Sequence, residues 1–279
     1  MNKIIYRSEE KSKILTLEKE KLIRESTIET ARIFIKFFNN PKYANDLLEG
    51  KFFCNTPAYY RKSNMEGVGD TQESVAYSGT YDPNYRIDNI SLKKLVKLSD
   101  LPVPENELKE LTVSLFPEQF KHGWLHCWFV IDEVTDLEFV AQLAADLIRV
   151  QKEFGLNYVF FTSNDFHEMT KRLADKLDRP VGTARIAYTD NNYFHNIACK
   201  RLEYKYQREF RFILEECEIN ETNPKIYCLG DMRDILKFNK PVKILSNGAE
   251  KLFELSEHSV YMNPKYFKPN NGAFESPRT

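Results

Sequence analysis

The second half of the chain contains a run of short predicted strands with no long helix between them. After residue 180 the segments with strand character are ARIAY, YQREFRFIL, KIYC, VKILS and HSVYM. Parallel strands need long crossover connections, which are usually helical, whereas strands in close succession favour antiparallel pairing. The sequence therefore predicts an α+β fold with a mostly antiparallel sheet and short helices, rather than a doubly wound parallel sheet.

Composition bounds the class of protein. The 279 residues are 42% hydrophobic and carry a formal net charge of −1, which predicts a full hydrophobic core and argues against a protein wrapped by duplex DNA. The sequence shows no apolar run of bilayer length and no secretory signal pattern, so we expect a cytoplasmic protein with no membrane partner. Its five cysteines form no CxxC pair, and no glycine-rich phosphate loop is present; we expect no metal.

Charge and turn residues divide the chain into four parts. Residues 1–28 are highly charged with sparse apolar positions and predict a helical arm. Residues 29–262 predict a single α+β domain, within which the Pro-, Asp- and Asn-rich stretch 77–120 predicts an insertion or lid. Residues 263–279 predict a flexible tail.

The start of the domain shows strong local signals. The segment ARIFIKFF predicts a strand that is apolar on both faces apart from Lys36. Asn40 and Pro41 predict a helix start, Gly50 predicts its end, and the predicted apolar face is Tyr43, Ala44, Leu47 and Leu48. KFFC then predicts a second strand, and NTPAYYRKSNMEGVGDTQES predicts a polar loop rich in turns.

The segment YQREFRFIL carries the most informative polar pattern. In an extended strand, Gln207, Glu209 and Arg211 fall on one face, opposite an aromatic core face. A carboxylate in that position is either paired with Arg211 or Lys200, or held for chemistry. Beside a ribose, such a carboxylate stabilises the positive charge that develops when nicotinamide leaves C1. The Gln207 amide would then orient the acceptor.

A resemblance to known proteins spans about residues 30–220. It is carried by IKFFNNPKYANDLLEGKFFCNTPAYYRKSN, GDTQES, WLHCWF and FHNIACKRLEYKYQREFRF, which resemble an uncharacterised domain family of bacteria and phages. The same plan resembles the ADP-ribosyltransferase superfamily, as found in toxin and phage-defence members. The resemblance implies an ADP-ribosyltransferase-like fold with a split antiparallel sheet, and NAD as substrate.

The resemblance also implies a role for each matching residue. Glu209 would be the catalytic acid, with Gln207 beside the acceptor. Tyr59 or Tyr60 would stack on nicotinamide and Arg61 would meet a phosphate, in a loop that begins with Asn55, a further NAD-binding candidate. The first strand offers Lys36, or Arg32 at its edge, where the superfamily has a His or Arg. Thr162-Ser163 is only a loose substitute for the superfamily's Ser-Thr-Ser element.

The implied function is transfer of ADP-ribose from NAD to a macromolecular acceptor, RNA or protein, in phage defence or a toxin–antitoxin system. An antitoxin or a phage protein would be a further partner. Two alternatives stay open. One is a non-catalytic sensor or interaction domain that binds a protein or RNA, and the other is a nuclease or glycosidase that uses Glu209 with Asp70.

Other reactive side chains give weaker predictions. His126 and Cys127 point to opposite faces of a strand, so with His122 they do not predict a zinc site. His195 and Cys199 lie close to the Glu209 segment, but a buried thiol is the usual outcome for such a cysteine.

Overall fold

The computed structural model describes residues 32–65, 67–75, 77–81, 111–115, 122–132, 134–190, 196–246, 249–257 and 259–267, with backbone only for 77–81 and 111–115. The predicted arm at 1–28 lies outside the described residues. So does most of the predicted insertion at 77–120, of which two paired strands are described.

The described residues form an α+β fold. The helices are α1 (Pro41–Leu48), α2 (Pro57–Lys62), α3 (Leu137–Phe154), α4 (Phe166–Leu177) and a 3-10 helix (Leu202–Gln207). The strands are β1 (Ile33–Phe38), β2 (Lys51–Cys54), β3 (Tyr77–Tyr81), β4 (Leu111–Leu115), β5 (His122–Ile131), β6 (Asn157–Thr162), β7 (Gly182–Arg185), β8 (Ala187–Tyr188), β9 (Cys199–Lys200), β10 (Glu209–Cys217), β11 (Lys225–Cys228), β12 (Lys237–Phe238), β13 (Val242–Leu245), β14 (Lys251–Leu255) and β15 (Val260–Met262). Among these strands only the short β8–β9 pair is parallel, so the predicted mostly antiparallel pairing is confirmed.

A six-stranded antiparallel sheet, in the order β12-β6-β1-β5-β10-β7, forms the centre of the fold. Helices α1 and α4 pack on one face, against a core that includes Phe34, Trp128 and Phe212. Helix α3 and the β13-β14-β15 sheet pack on the other face, against Ile35 and Phe129. Both faces of β1 are covered, which explains why its sequence is apolar at nearly every position.

The central sheet divides between β1 and β5. These strands pair only from Ile33 opposite Ile131 to Ile35 opposite Phe129. Beyond that point β1 stays paired with β6 as far as Phe38, and β5 stays paired with β10. We call the gap between the diverging ends of β1 and β5 the fork. On β5, the backbone of Leu125 pairs instead with Asn55, at the end of β2.

Helix α1 forms as predicted but exposes one residue that was assigned to its core face. The Asn40 side chain accepts a hydrogen bond from the Lys42 amide and Pro41 occupies the first turn, both of which favour a helix start. Ala44 is buried together with two leucines of the helix, whereas 55% of Tyr43 is exposed. The prediction that Tyr43 belongs to the core face is therefore wrong.

The predicted polar loop after β2 begins with a helix instead. Thr56 caps α2, since its hydroxyl accepts a hydrogen bond from the Tyr59 amide, and Pro57 stands at the first helical position. A Thr-Pro pair is a recognised helix start, so the sequence carries a local signal for this helix. The helix turns Tyr59 and Tyr60 towards the fork.

The strand predicted from Tyr206 begins only at Glu209. The preceding residues form the 3-10 helix, and Arg208 between the two elements has a φ of 41°. This left-handed residue breaks the strand. Gln207 therefore does not share a strand face with Glu209 and Arg211, as the alternation predicted.

Residues 263–279 were predicted to be a flexible tail, but the first five of them pack on the fold. Residues 263–267 contact the body of the fold: the Asn263 amide donates to the Lys251 carbonyl at 2.9 Å, and the Tyr266 hydroxyl donates to Glu250 at 2.7 Å. Phe267 packs against the core on the α3 side. The remainder of the predicted tail lies outside the described residues.

Candidate functional site

A cavity of about 330 Å³ lies in the fork. Its walls are residues 35–39 at the end of β1, Cys127, Trp128 and Phe129 of β5, the α2 tyrosines, and Phe154 with neighbours on α3. It brings together the predicted site residues Lys36, Asn55, Tyr59, Tyr60, Gln207 and Glu209. Because the sheet is open here, side chains from distant segments converge on one space.

The cavity has an exposed rim and a buried floor. Tyr43 and Met65 line it and are 55% and 56% exposed, so they mark its mouth. Lys200, Gln207 and Glu209 line it and are almost fully buried, so they mark its floor. A ligand that enters past the rim therefore meets polar and charged groups only at depth.

Glu209 on the floor forms two ion pairs. Its Oε1 accepts from Arg211 Nε at 2.6 Å, and its Oε2 lies 2.7 Å from Lys200 Nζ. Burial alone would raise the pKa of Glu209, but the two cations outweigh it and hold the pKa well below its usual range. The carboxylate is therefore ionised. The sequence left two hypotheses for Glu209, pairing with Arg211 or Lys200 and a role in chemistry. The ion pairs are present, and the paired carboxylate also lines the cavity.

Arg211 extends this network away from the cavity. Its guanidinium donates to both oxygens of Glu73, at 2.6 and 2.7 Å, and to the backbone carbonyl of Ile197. Burial would lower the pKa of Arg211, but Glu209 and Glu73 raise it well above its usual value. The formal charges of Glu209, Glu73, Arg211 and Lys200 cancel, which allows the cluster to be buried.

Gln207 is fully engaged in the fold. Its Oε1 accepts from Lys200 at 2.8 Å, and its Nε2 donates to the Gly67 carbonyl at 2.7 Å and to the Tyr206 hydroxyl at 3.2 Å. Both amide hydrogens are used, and Oε1 keeps one lone pair beyond its bond to Lys200, so the role of Gln207 towards an acceptor stays a prediction. The residue links the floor of the cavity to the segment after α2.

Lys36 enters the fork from β1. Its ammonium donates to the Cys127 carbonyl at 2.8 Å, a group that the divergence of β1 and β5 leaves available. Among the described residues no carboxylate forms a salt bridge with Lys36. Burial lowers the pKa of this lysine. A charged lysine carries three donor hydrogens, and the described residues accept only one of them, at the Cys127 carbonyl.

Aromatic and thiol groups also line the cavity. The rings of Tyr59 and Tyr60 meet edge to face, with centroids 5.6 Å apart. The Tyr60 hydroxyl lies 3.8 Å from Cys127 Sγ. Burial is the main cause that raises the pKa of Tyr60, and burial raises the pKa of Cys127 to about 12. Both groups are therefore neutral hydrogen-bond partners near neutral pH.

Several predicted candidates lie outside the cavity lining. Arg61 donates to the backbone carbonyls of Glu73 and Ile219, at 2.9 and 2.8 Å, and does not line the cavity, so its predicted phosphate contact stays a prediction. Asp70 is buried next to this network, and burial followed by the charge of Glu73 raises its pKa. Thr162 bonds to Asp165 at the opposite end of β1 from the fork.

The metal candidates do not assemble either. His126 Nδ1 bonds to the Phe53 carbonyl at 2.8 Å, and its ring stacks on Phe52. Among the residues that the structure describes, no three His, Cys, Asp or Glu side chains are placed to hold a metal ion. His195 lies outside the described residues, and Cys199 is a buried thiol.

Sequence reasoning missed several residues of the site. Lys200 was considered only as a partner of Glu209, yet it also lines the cavity. The sequence contained no signal for Tyr43 and Met65 at the rim, because the identity of a single aromatic residue or methionine does not predict whether its side chain is exposed. Glu153 was also missed; it accepts from Tyr206 and from Arg149 and reaches the cavity from α3.

Comparisons with protein-family models, with curated proteins and with solved structures gave no match to this chain. The resemblance to ADP-ribosyltransferases therefore stays a prediction, and the evidence for a functional site is the geometry described above. Within the described part of the chain, none of the helices combines the length and apolar character needed to cross a membrane.

Proposed function

We propose that the fork binds NAD and that this protein is an ADP-ribosyltransferase-like enzyme. The observation that carries the proposal is the position of Glu209: an ionised carboxylate on the floor of a cavity whose other walls hold two tyrosines and a lysine that forms no salt bridge within the described part of the chain. A pocket with aromatic walls and a few convergent polar groups is typical of small-molecule sites. Residues far apart in sequence supply this set.

Glu209 would stabilise the transition state of ribosyl transfer. As the bond between nicotinamide and C1 of the ribose breaks, the ring gains positive charge, which a fixed carboxylate stabilises without reorganisation. Each oxygen of Glu209 already accepts from one cation, but an ionised carboxylate has about four lone-pair sites. Cys127 is a further hydrogen-bond partner of the carboxylate, which leaves one position for a ribose hydroxyl as far as the described residues are concerned, and Arg211 and Lys200 keep the carboxylate ionised and oriented.

The remaining cavity residues would bind the dinucleotide. Tyr59 and Tyr60 offer rings against which the nicotinamide can stack. Lys36 has hydrogen-bond donors available and no carboxylate partner among the described residues, so it suits a phosphate oxygen. Asn55 adds an amide to the same wall. The acceptor would be a macromolecule, RNA or protein, and an antitoxin or phage protein would be a further partner in the cytoplasm.

Release of nicotinamide and transfer of label test this proposal. NAD labelled in its adenylate half is incubated with the full chain and cell extract, and both free nicotinamide and labelled macromolecule are measured. Wild type should give both products, and Glu209→Gln should lose both. Glu215→Gln is the matched control, because Glu215 lies on the same strand but pairs with Lys225 outside the cavity lining.

Thermal unfolding of Glu209→Gln must accompany the assay, because Arg211 and Lys200 lose an ionic partner in this variant. Glu209→Asp keeps the charge but withdraws it by one methylene, and should retain part of the activity. Labelling that survives in a folded Glu209→Gln protein would contradict the proposed role.

A second candidate function is binding of the same ligand without turnover, as in a sensor or interaction domain. The observation that favours it is the neutral cluster around Glu209, because Lys200 and Arg211 offset the field that the carboxylate would exert on a developing cation. This candidate predicts that NAD binds the fork but that no nicotinamide is released. Ligand titration together with the release assay separates the two functions.

A further inference from the structure

We infer that Cys127 is a positioning residue, which holds three candidate residues of the fork in a fixed mutual arrangement. These residues are Glu209, Tyr60 and Lys36. The inference rests on the proposed function, because Cys127 would act on bound NAD only through these three side chains. Cys127 belongs to β5 and lines the cavity.

The thiol of Cys127 donates a hydrogen bond to the Glu209 carboxylate. The direction of this bond follows from the protonation of the two groups. Glu209 is ionised and can only accept, whereas burial raises the pKa of Cys127 to about 12, so its sulfur keeps its hydrogen near neutral pH. In the pairing of β5 with β10, Cys127 stands opposite Arg211, which makes it the diagonal neighbour of Glu209 on the same face of the sheet.

The sulfur of Cys127 also links Glu209 to a tyrosine of α2. The Tyr60 hydroxyl lies 3.8 Å from Cys127 Sγ, within reach of a weak hydrogen bond to sulfur. Since the thiol hydrogen is directed to Glu209, the Tyr60 hydroxyl is the donor in this contact. Two consecutive hydrogen bonds therefore connect Tyr60 to the carboxylate. They fix the ring on which nicotinamide would stack relative to the group that would contact the ribose.

The backbone of Cys127 holds the third residue. Its carbonyl accepts from Lys36 Nζ at 2.8 Å, and it is available because β1 and β5 no longer pair at this point. Cys127 thus contacts Glu209 and Tyr60 through its side chain, and Lys36 through its main chain. Because a substitution of the side chain leaves the carbonyl in place, the two sets of contacts can be separated by experiment.

Substitution of Cys127 tests the inference through the rate of nicotinamide release. Cys127→Ala removes the donor, and Cys127→Ser keeps one. In Cys127→Ala we expect kcat to fall about tenfold or more and KM for NAD to change less than about twofold, because a hydrogen bond to a charged group is lost while the Lys36 contact remains. Cys127→Ser should recover most of the loss. Cys54→Ala is the matched control, because Cys54 is a buried thiol outside the cavity lining.

The infrared S–H stretching band gives a second readout, which does not require NAD. The difference between the spectra of wild type and Cys127→Ala isolates the band of this thiol from those of the other cysteines. Glu209→Gln and Tyr60→Phe each change one hydrogen bond of the sulfur, so both should shift the band. Thermal unfolding of each variant ensures that folded proteins are compared.

The outcomes separate this inference from the proposed function. If wild type releases no nicotinamide, the proposed function fails; a band that still shifts then supports the arrangement of the side chains, and a band that stays in place refutes it. If wild type is active but Cys127→Ala keeps its kcat, Cys127→Ser loses as much as Cys127→Ala, or the band does not shift, the inference is refuted and the proposed function stands. A loss of kcat confined to Cys127→Ala, together with the band shifts, supports the positioning role.

Discussion

Arg211 donates two parallel hydrogen bonds to Glu73, of 2.6 and 2.7 Å, and neither side chain is exposed to solvent. The pair joins β10 to the segment that follows α2, two regions separated by more than a hundred residues. Through its Nε, the same guanidinium orients Glu209 at the floor of the cavity. The stability of the fold and the geometry of the site are thus coupled in one buried cluster.

Removing one member of this pair should destabilise the protein strongly. Glu73→Gln leaves the Arg211 charge undercompensated in the core, and we expect a loss of about 3–5 kcal/mol in the free energy of unfolding. Urea titration measures it. Glu215→Gln removes a half-exposed partner of Lys225 and should cost at most about 1 kcal/mol. A similarly small loss in both variants would show that the buried charge of Arg211 does not depend on Glu73 for its compensation.

Acid should weaken the fold through Glu209. Its pKa is depressed in the folded protein, so its contribution to stability is present above the pKa of an unfolded glutamate, about 4.3. That contribution disappears as the pH falls towards the folded pKa. The stability advantage of wild type over Glu209→Gln should therefore shrink between about pH 6 and about pH 3. Urea unfolding across this range measures it, and an advantage that stays constant or grows would contradict the assignment.

Lys36 should titrate below an ordinary lysine, because burial disfavours its charged form. Carbon-13 dimethylation of the lysines followed by NMR titration reports each pKa, and the ordinary lysine pKa of about 10.4 is the reference. Lys36→Met identifies the resonance. Since an anion stabilises the ammonium, bound NAD should move the Lys36 pKa upward. A Lys36 pKa at the ordinary lysine value would contradict the effect of burial, and a Lys36 pKa that does not respond to NAD would contradict the proposed phosphate contact.

The cysteines should differ widely in alkylation rate. Cys228 is exposed, whereas burial raises the pKa of Cys127 to about 12 and leaves little thiolate at neutral pH. Iodoacetamide labelling followed by peptide mass spectrometry should modify Cys228 first and Cys127 only after unfolding. Rapid modification of Cys127 in the folded protein would mean that the fork holds a reactive nucleophile, a role that the present account does not give it.

Local signals predicted the start of the fold well. Asn40 and Pro41 form a cap and first turn whose effect does not depend on the rest of the chain, and the apolar run of β1 suits a sheet covered on both faces. The break before β10 was not predictable in the same way. Arg208 adopts a left-handed conformation that normally signals Gly or Asn, so the alternating pattern was extended too far.

The site was predictable only as a set of residue types. The polar pattern around Glu209 and the isolated Lys36 indicated side chains that need partners in a core, because buried charges are costly. Which partners they find depends on long-range pairing. Lys36 donates to the Cys127 carbonyl because β1 and β5 diverge, and the sequence pattern of either strand does not predict that divergence.

A crystal structure of the full chain soaked with NAD tests the central claim most directly. We expect electron density in the fork between β1 and β5, with the nicotinamide ribose within hydrogen-bond distance of Glu209 and a phosphate oxygen next to Lys36. Density at another surface, or an empty fork in crystals that are saturated with NAD and leave its mouth open to solvent, would contradict it.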